Sequence, residues 1–307
     1  MNTTLHEIQA KVARLCTGKT MRTGIDCLTL YSSTRKTDPV LFVYEPRIYI
    51  VIQGQKEISV HDRHYIYNET QYLVSTIDIP VSGMITSASP DRPYLAMCIS
   101  FSPTEIFEII STLGHSLKPT TPSSAGMGLS ALTDDLLDAV KRLLNCLDTP
   151  SDVKFLAPRI KQEIIYRILQ GDQGSTLYDI ANARSDLSGI NRAILFLREH
   201  FLKEIEINSL PELAGMSQSK FYKKFHDMTN LTPLQYRQLL RLQEARRLML
   251  HVDLPAAEAG FRVGYESPSQ FSREYRRVFG LPPSTDMKRI RAIGANKYRE
   301  DNEEVWV

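Results

Sequence analysis

Two copies of one pattern, fifty residues apart, decide how this chain folds near its C-terminus. The first copy reads Ser217-Gln-Ser-Lys-Phe-Tyr-Lys-Lys-Phe225, and the second reads Ser267-Pro-Ser-Gln-Phe-Ser-Arg-Glu-Tyr275. In each copy the apolar side chains recur at spacings of four and then three residues, which is the period of one buried face of a helix. The repeat therefore predicts two short amphipathic helices in equivalent positions of two similar units.

The opposite face of each predicted helix carries small polar and basic side chains. These are Ser219, Tyr222, Lys223 and His226 in the first copy, and Ser269, Ser272, Arg273 and Arg276 in the second. A helix that is buried on one side and polar or basic on the other is what a helix-turn-helix places in the major groove of DNA. Two of them predict two adjacent contacts with one duplex.

The two polar faces supply ten candidate DNA contacts. Six side chains of these faces are predicted to contact base edges or phosphates: Ser219, Tyr222, Lys223, Ser269, Ser272 and Arg273. Four more are predicted to contact phosphates, which position a protein without specifying sequence: Gln218, Lys220, Arg276 and Arg277. Phe221, Phe225, Phe271 and Tyr275 follow the buried stripe, so we assign them to the core rather than to base stacking.

Composition fits a soluble globular protein of two ordinary domains, with 307 residues, 42% hydrophobic and 23% charged. The net charge of +2 is unevenly divided, since residues 188–289 contain sixteen Lys and Arg against eleven Asp and Glu. A basic C-terminal module beside a slightly acidic N-terminal one is typical of a DNA-binding protein with a separate sensing domain.

The sequence predicts a cytoplasmic protein that makes no membrane contact. No apolar run reaches the roughly 18 residues of a membrane span, and the N-terminus lacks the apolar core of a signal peptide. The four cysteines, Cys16, Cys27, Cys98 and Cys146, lie far apart without a CxxC pair. That spacing argues against a zinc cluster or a disulfide framework and fits a reducing compartment.

Short β-branched and aromatic runs dominate the chain from Asp26 to about Phe101. They are Val40–Tyr44, Ile48–Gln53, Glu57–Val60, Tyr65–Tyr67, Tyr72–Val74 and Tyr94–Ile99. Turn-forming residues separate them, among them Gly54 and Pro80. Many short strands with turns about every ten residues predict a small barrel or sandwich.

The pattern becomes helical after Pro103. Helices are predicted over Thr104–Leu113, Leu129–Leu147 and Val153–Leu169, and Gly171–Ser175 then interrupts the pattern. The leucine stripe of Leu129–Leu147 exceeds what one small barrel needs to bury. It is therefore our candidate surface for a homodimer, and packing against the barrel is the alternative.

Capping signals mark the helices of the C-terminal module. Ser209–Glu212, Thr232–Gln235 and Ser267–Gln270 each have the form of a capping box, in which Ser or Thr precedes Glu or Gln by three residues. The first helix of the module is predicted at about Asn191–Lys203. A long helix to about Leu250 should be roughly 25 Å long and separate two recognition helices by about one DNA turn, roughly 34 Å.

Several motifs resemble the DNA-binding domain of AraC-type transcriptional regulators. They are Glu212-Leu-Ala-Gly-Met-Ser217, Leu234-Gln-Tyr-Arg-Gln-Leu-Leu-Arg-Leu-Gln-Glu-Ala-Arg247 and Val263-Gly-Tyr-Glu-Ser-Pro-Ser-Gln-Phe-Ser-Arg-Glu-Tyr-Arg-Arg-Val-Phe-Gly280. Motifs nearer the N-terminus are similar to the cupin-like domain of one AraC-type subgroup: Val43–Pro46, Val51–Gly54, Tyr72–Ser75, Asp78–Pro80 and Ala88–Tyr94. The resemblance implies a bacterial transcriptional regulator, usually an activator, that responds to a small molecule.

We therefore expect an α+β chain of two domains. Residues 1–170 form a cupin-like β-barrel with flanking helices, for effector binding and dimerisation, and 171–190 form a linker. Residues 191–289 form an all-α domain with two helix-turn-helix motifs, and 290–307 form a tail. Two departures from the family pattern affect the last unit: Gly260 weakens the fifth helix of the domain unless it allows close packing, and Pro282–Asp286 lacks a common Tyr-Arg pair.

The expected partners are double-stranded DNA, RNA polymerase, an unidentified small-molecule effector and a second copy of the chain. We expect no enzyme activity, cofactor or metal. One alternative is a metal-dependent cupin enzyme with an accessory helical domain, but His61 and His64 bracket a turn without further ligands. Another is an architectural DNA-binding factor whose barrel only dimerises. Glu45 and Asp78 are expected either in the barrel lining or at its rim, and Cys98 as a buried small hydrophobe.

Overall fold

The computed structural model describes residues 3–17, 20–60, 63–113, 126–182 and 185–291. Its strands are β1 (Thr20–Arg22), β2 (Leu28–Ser33), β3 (Val40–Tyr44), β4 (Arg47–Gln53), β5 (Gln55–Val60), β6 (Arg63–Asn68), β7 (Gln71–Ser75), β8 (Ile79–Ser87), β9 (Tyr94–Ser100) and β10 (Met127–Ala131). The N-terminal half also contains helices α1 (Thr3–Leu15), α2 (Pro103–Leu113), α3 (Asp134–Asn145), α4 (Pro150–Phe155) and α5 (Ala157–Leu169).

The strands form two antiparallel sheets that enclose a cavity. One sheet has the order β1-β2-β9-β4-β7-β10, and the other has the order β3-β8-β5-β6. The predicted β-rich domain with flanking helices is confirmed, but its two sheets do not close into one continuous barrel. Residues of both sheets, such as Tyr49 in β4 and Lys56 in β5, line the space between them.

Two strands lie where the sequence indicated something else. Pro80 was interpreted as a turn former but lies in β8, where it is the register partner of Val43. The predicted helix Leu129–Leu147 is wrong at its start, because residues up to Ala131 extend β10 alongside β7. The helix begins only after Thr133, whose side chain accepts a hydrogen bond from the Leu136 amide.

The leucine stripe of α3 packs inside the chain, so it offers no surface for the predicted homodimer. Leu143 and Val140 are fully buried, and Leu136 is 2% exposed. This face lies against α5 and α1, and α1 in turn contacts β4 and β9 of the six-stranded sheet. Packing within the chain was the alternative interpretation of this stripe, and the structure supports it.

The predicted linker at 171–190 contains ordered helical structure. Helix α6 (Gly174–Ala181) follows α5 closely and buries Leu177, and it contacts α2, α5 and α7. Gly174 lies so close to the Leu169 carbonyl that a β-carbon would stand 2.1 Å from its oxygen. The glycine break thus allows a tight turn between two packed helices.

The C-terminal half is all helical, as predicted. Its helices are α7 (Asp186–His200), α8 (Leu210–Ala214), α9 (Gln218–Thr229), α10 (Pro233–His251), α11 (Ala256–Arg262), α12 (Pro268–Phe279) and α13 (residues 283–291). Helix α7 starts five residues before the predicted Asn191. The chain that the structure describes contains no helix long and apolar enough to cross a membrane.

One of the three predicted capping boxes forms. Thr232 and Gln235 exchange both bonds of the box at the start of α10. Ser209 instead ends a 3-10 turn in helical conformation, and its hydroxyl donates to the Glu206 carbonyl. Ser267 is too extended, with φ −137° and ψ 128°, and its side chain makes no cap bond. The boxes predicted at Ser209–Glu212 and Ser267–Gln270 were therefore wrong, although a proline does open both helices.

Two hydrophobic cores divide the molecule. The larger one runs from the sheets through Leu197 and Phe225 to Leu240, so the first helix-turn-helix shares its core with the N-terminal domain. The smaller one contains Leu242 to Ile290 and belongs to the second helix-turn-helix. Helix α10 contributes to both cores.

Candidate nucleic-acid interface and cavity

Helices α9 and α12 are the two recognition helices that the repeat predicts. Phe221 and Phe225 in α9 are completely buried, and so is Tyr275 in α12, with Phe271 at 1% exposure. Their rings pack edge-on or tilted against one another within each helix. These aromatic stripes fix which side of each helix is left for solvent.

The predicted DNA contacts all lie on the exposed or half-exposed sides of these helices. Ser219, Lys223, Ser269 and Arg273 are exposed, as are the predicted phosphate contacts Gln218, Lys220, Arg276 and Arg277. Tyr222 and Ser272 are half-buried. The Tyr222 hydroxyl donates to Asn208 over 3.4 Å. Accessibility therefore permits all ten contacts.

The basic side chains of the interface differ in whether they already have an acidic partner. Lys220 lies 2.6 Å from the Asp186 carboxylate, and Lys224 lies 3.3 Å from it. Among the described residues, Lys223 and Arg273 have no carboxylate within 4 Å. Binding a phosphate with Lys220 therefore requires breaking an ion pair, whereas Lys223 and Arg273 are available as they stand.

Close packing at Gly260 holds α12 against α11. A β-carbon at this position would lie 2.8 Å from Cγ of Phe271, so only glycine lets the two helices approach this far. The glycine that weakens the propensity of α11 is thus used for a helix contact. Helix α11 forms despite it.

A buried ionic cluster ties the second recognition helix to α10 and α13. Asp286 is fully buried and accepts hydrogen bonds from Arg246 Nε at 3.0 Å and the Tyr275 hydroxyl at 2.7 Å. Arg246 is only 5% exposed, and its guanidinium also lies over the Phe279 ring. The sequence did not predict this cluster, although Pro282–Asp286 departs from the family pattern, because nothing local marks Arg246 as the buried one of four arginines in α10.

A cavity of about 390 Å³ lies between the two sheets. Six aromatic rings line it: Tyr31, Phe42, Tyr44, Tyr49, Tyr67 and Tyr94. The hydroxyls of Tyr44 and Tyr67 share a hydrogen bond of 2.6 Å. Burial raises the pKa of both hydroxyls well above the ordinary value for tyrosine, so both stay protonated. The wall is therefore apolar and neutral over most of its area.

Lys56 brings a positive charge into this aromatic cavity. Its ammonium lies over the rings of Phe42 and Tyr44, 4.6 and 5.2 Å from their centroids. Burial lowers the pKa of Lys56 to about 8. Nothing in the sequence marked this lysine as a binding residue. It immediately precedes the predicted strand run Glu57–Val60.

Direct contacts join the sheets to the first helix-turn-helix. The buried carboxylate of Asp78 lies 2.5 Å from the Arg198 guanidinium in α7, and its backbone carbonyl accepts from the Tyr236 hydroxyl in α10 at 2.9 Å. Asn230, at the end of α9, donates to the Val60 carbonyl at 3.1 Å. Asp78 is thus neither lining the cavity nor simply at a rim: it lies in the contact between the two halves. Glu45 does line the cavity and pairs with Arg47.

No cluster of three or more potential metal ligands occurs in the described part of the chain. His64 is exposed and shares a hydrogen bond of 2.9 Å with Ser59. His61, its predicted neighbour across the turn, lies outside the described residues. Cys98 is buried as predicted, and its thiol contacts Tyr31 and Arg47.

The chain matches two family models that together cover most of its length. Residues 24–176 match the AraC-type transcriptional regulator N-terminus, and residues 210–289 match a helix-turn-helix domain. Among curated proteins, it is 24% identical to the HTH-type transcriptional activator RhaS of Escherichia coli (strain SMS-3-5 / SECEC), over 73% of this chain and 72% of RhaS. RhaS of Shigella sonnei (strain Ss046) is 23% identical, over 74% of this chain and 73% of that protein.

Among solved structures, the fold is similar to that of ToxT from Vibrio cholerae. One such structure aligns with TM-score 0.54 and 9% identity, covering 88% of this chain and 98% of ToxT. Another is described as ToxT bound to an unsaturated fatty acid, with TM-score 0.52 and 9% identity, covering 88% of this chain and 95% of that one. At this identity the likeness extends to the two-domain fold alone.

Proposed function

The chain belongs to the AraC-type transcriptional regulators, which bind DNA, and we propose that it activates transcription by placing α9 and α12 in successive major-groove segments while an organic effector occupies its cavity. One observation carries the DNA part of this proposal. Lys223 and Arg273 occupy the same position of the fifty-residue repeat, on the side opposite the buried rings, without an acidic partner among the described residues.

The connection between the two recognition helices suits adjacent contacts on one duplex. Helix α10 has 19 residues, which at ~1.5 Å per residue makes it roughly 28 Å long. With its flanking turns, such a helix separates two recognition helices by about one turn of DNA, roughly 34 Å. We propose the ten predicted side chains as the contacts: Gln218, Ser219, Lys220, Tyr222, Lys223, Ser269, Ser272, Arg273, Arg276 and Arg277.

The cavity supports the effector part of the proposal. Ligand sites are mostly apolar concavities of roughly 300–1,000 Å³ with a few polar groups, and this cavity lies at the lower end of that range. ToxT, which shares the fold, is described as binding a fatty acid. We further propose RNA polymerase as a partner, and the cytoplasm as the location, because RhaS is named a transcriptional activator. We keep residues 1–170 as the effector domain and 191–289 as the DNA-binding domain.

Selection of bound duplexes from a random pool, followed by band-shift titration, tests the DNA part. We expect the full chain to enrich one sequence and the double variant Lys223→Ala/Arg273→Ala to lose affinity for it by a factor of a hundred or more. The variant Arg14→Ala/Lys154→Ala removes the same charge at exposed positions far from α9 and α12 and serves as the matched control. Equal losses in the two variants would contradict the proposed interface.

A further inference from the structure

The cavity is built almost entirely from groups that have already satisfied one another. Tyr44 and Tyr67 bond to each other, and the Tyr49 hydroxyl donates to the Glu45 carbonyl at 3.3 Å. Of the acids that line the cavity, Glu45 pairs with Arg47 and Asp38 lies 3.3 Å from Arg289. These groups need no ligand to complete them.

Lys56 is the exception. Within the described part of the chain its ammonium has neither a hydrogen-bond acceptor nor a carboxylate within 4 Å, and its neighbours are the Phe42 and Tyr44 rings. Ring faces attract a cation, but they do not replace the hydrogen bonds that an ammonium makes in water. An anionic oxygen in the cavity would supply such a bond, in a surrounding where charge interactions are strong.

The rest of the lining restricts the remainder of the ligand. The six aromatic rings offer apolar faces. The hydroxyls of Tyr44, Tyr67 and Tyr49 are bonded within the protein, which leaves few donors or acceptors for a sugar or another polyol. One lysine balances one negative charge, whereas phosphate groups are generally held by several donors or a helix N-terminus. The cavity thus combines apolar ring faces with one cation, Lys56, that lies over them without an acidic partner among the described residues. Of the other cations in the lining, Arg47 and Arg289 are paired with acids, and Arg35 and Lys36 are exposed.

We propose that this cavity binds an apolar monocarboxylate, an aliphatic or aromatic acid, with its carboxylate on the Lys56 ammonium and its body against the six rings. This inference rests on the proposed function in that the cavity is the effector site. It adds the chemical class of the effector and the residue that selects it.

Calorimetric titration of the full chain with paired probes tests the proposal. The probes are decanoate, 4-phenylbutyrate and 1-naphthylacetate, each compared with its neutral primary amide. At least one acid should bind, and it should bind more tightly than its amide. Lys56→Met should weaken that acid by about tenfold to a hundredfold, the usual effect of a charge-assisted hydrogen bond, and leave the amide nearly unchanged. Lys56→Arg should retain a preference for the acid.

Lys36→Met is the matched control, since it makes the same substitution at an exposed lysine on the cavity rim. It should change acid binding by less than about twofold. Failure of all three acids to bind the folded chain, equal binding of acid and amide, or equal effects of the two Met variants would overturn the proposal. The titration contains no DNA, so a chain that binds acids but no duplex would refute the proposed function and leave this inference standing.

Acid binding should also weaken as the pH rises, because only the protonated lysine attracts a carboxylate. The pKa of free Lys56 is about 8, and a bound carboxylate raises it. Affinity should therefore be constant below about pH 7 and fall by up to tenfold per unit above about pH 8. The Cys98 thiol acts electrostatically on the ammonium. Other titratable and charged groups line the same cavity beside it: Tyr31, Tyr44, Tyr49, Tyr67, Tyr94, Glu45 and Arg47. The same dependence of acid affinity on pH in a Cys98→Ser background, together with an amide affinity that does not change with pH, would assign the titration to Lys56. An acid affinity that does not change with pH would contradict this assignment.

Discussion

The buried pair between Arg246 and Asp286 should be the main polar determinant of the second helix-turn-helix. Asp286 is fully buried and Arg246 is 5% exposed, so neither charge has water as a substitute partner. Removing one member of a buried ion pair typically costs about 3–5 kcal/mol, because the other charge remains buried and uncompensated. We expect Arg246→Met to destabilise the chain by about 3 kcal/mol, the lower end of this range, because the Tyr275 hydroxyl and Arg289 still contact Asp286.

The next residue in the chain supplies a matched control. Arg247 also pairs with an acid, Glu244, at 2.7 Å, but its side chain is 39% exposed. Exposed pairs contribute about 0–1 kcal/mol, so Arg247→Met should cost no more than that. The two variants remove the same charge from adjacent positions of α10. They differ in burial and in whether the acidic partner lies in the same helix.

Urea denaturation followed by circular dichroism gives the two free energies of unfolding, and hydrogen exchange locates the loss. In Arg246→Met, amide protection should fall in α12 and α13, which contain Tyr275 and Asp286, while α9 keeps its protection because its core is the separate larger one. Similar midpoints for the two Met variants, or loss of protection in α9 first, would refute the reasoning.

Three further predictions concern single contacts. Arg273→Ala should cost about 1–3 kcal/mol of binding free energy on a specific duplex and relax the preference at one base, whereas Lys223→Ala should weaken binding to all duplexes and lower the slope of log affinity against log salt by about one. Titration of both variants on specific and scrambled duplexes across a salt series measures this, and equal losses on both duplexes for Arg273→Ala would refute the difference. Gly260→Ala should destabilise the folded chain by about 1–3 kcal/mol despite its better helix propensity, because its β-carbon would meet Phe271. Gly24→Ala, where the β-carbon would enter open space, should not destabilise it, and equal urea midpoints for the two variants would contradict this. Asp78→Ala should cost about 1–3 kcal/mol of unfolding free energy, because it leaves Arg198 without its partner. Asp38→Ala, which removes the exposed pair with Arg289, should cost less than about 1 kcal/mol, and the reverse order would show that the contact between Asp78 and Arg198 is unimportant.

Local sequence patterns were sufficient for most elements because each depends on neighbours within a few residues. The strands β3, β4, β7 and β9 begin and end within a residue of the predicted runs, since β-branched and aromatic residues fill them. The repeat located α9 and α12 because their buried rings follow the helical period. Where two periods meet, as at Ala131 between β10 and α3, apolar residues alone did not distinguish strand from helix.

Long-range partnerships could not be predicted from the same patterns. Asp78 contacts Arg198 in α7 and Tyr236 in α10, more than a hundred residues further along the chain, only because the sheets and these helices pack together. The capping boxes at Ser209 and Ser267 failed for a related reason: the preceding turn, not the four-residue motif, sets the backbone angles of the cap residue. Lys56 could not be predicted as a binding residue, because the cavity that it lines exists only once the two sheets face each other.

The two recognition helices are connected to the cavity by different routes. Phe221 and Phe225 of α9 belong to the core that continues into the sheets, whereas α12 packs in the separate smaller core. The second unit meets the cavity through α13, where Arg289 lines the cavity, lies 3.3 Å from Asp38 and 3.4 Å from Asp286. Packed apolar interiors are nearly incompressible, so a ligand-induced shift in the sheets moves α9 with them. The same shift reaches the second unit through the exposed pair of Asp38 with Arg289, which breaks at little cost. We therefore expect occupancy of the cavity to alter the orientation of α12 relative to α9, because this change loses the fewest buried contacts.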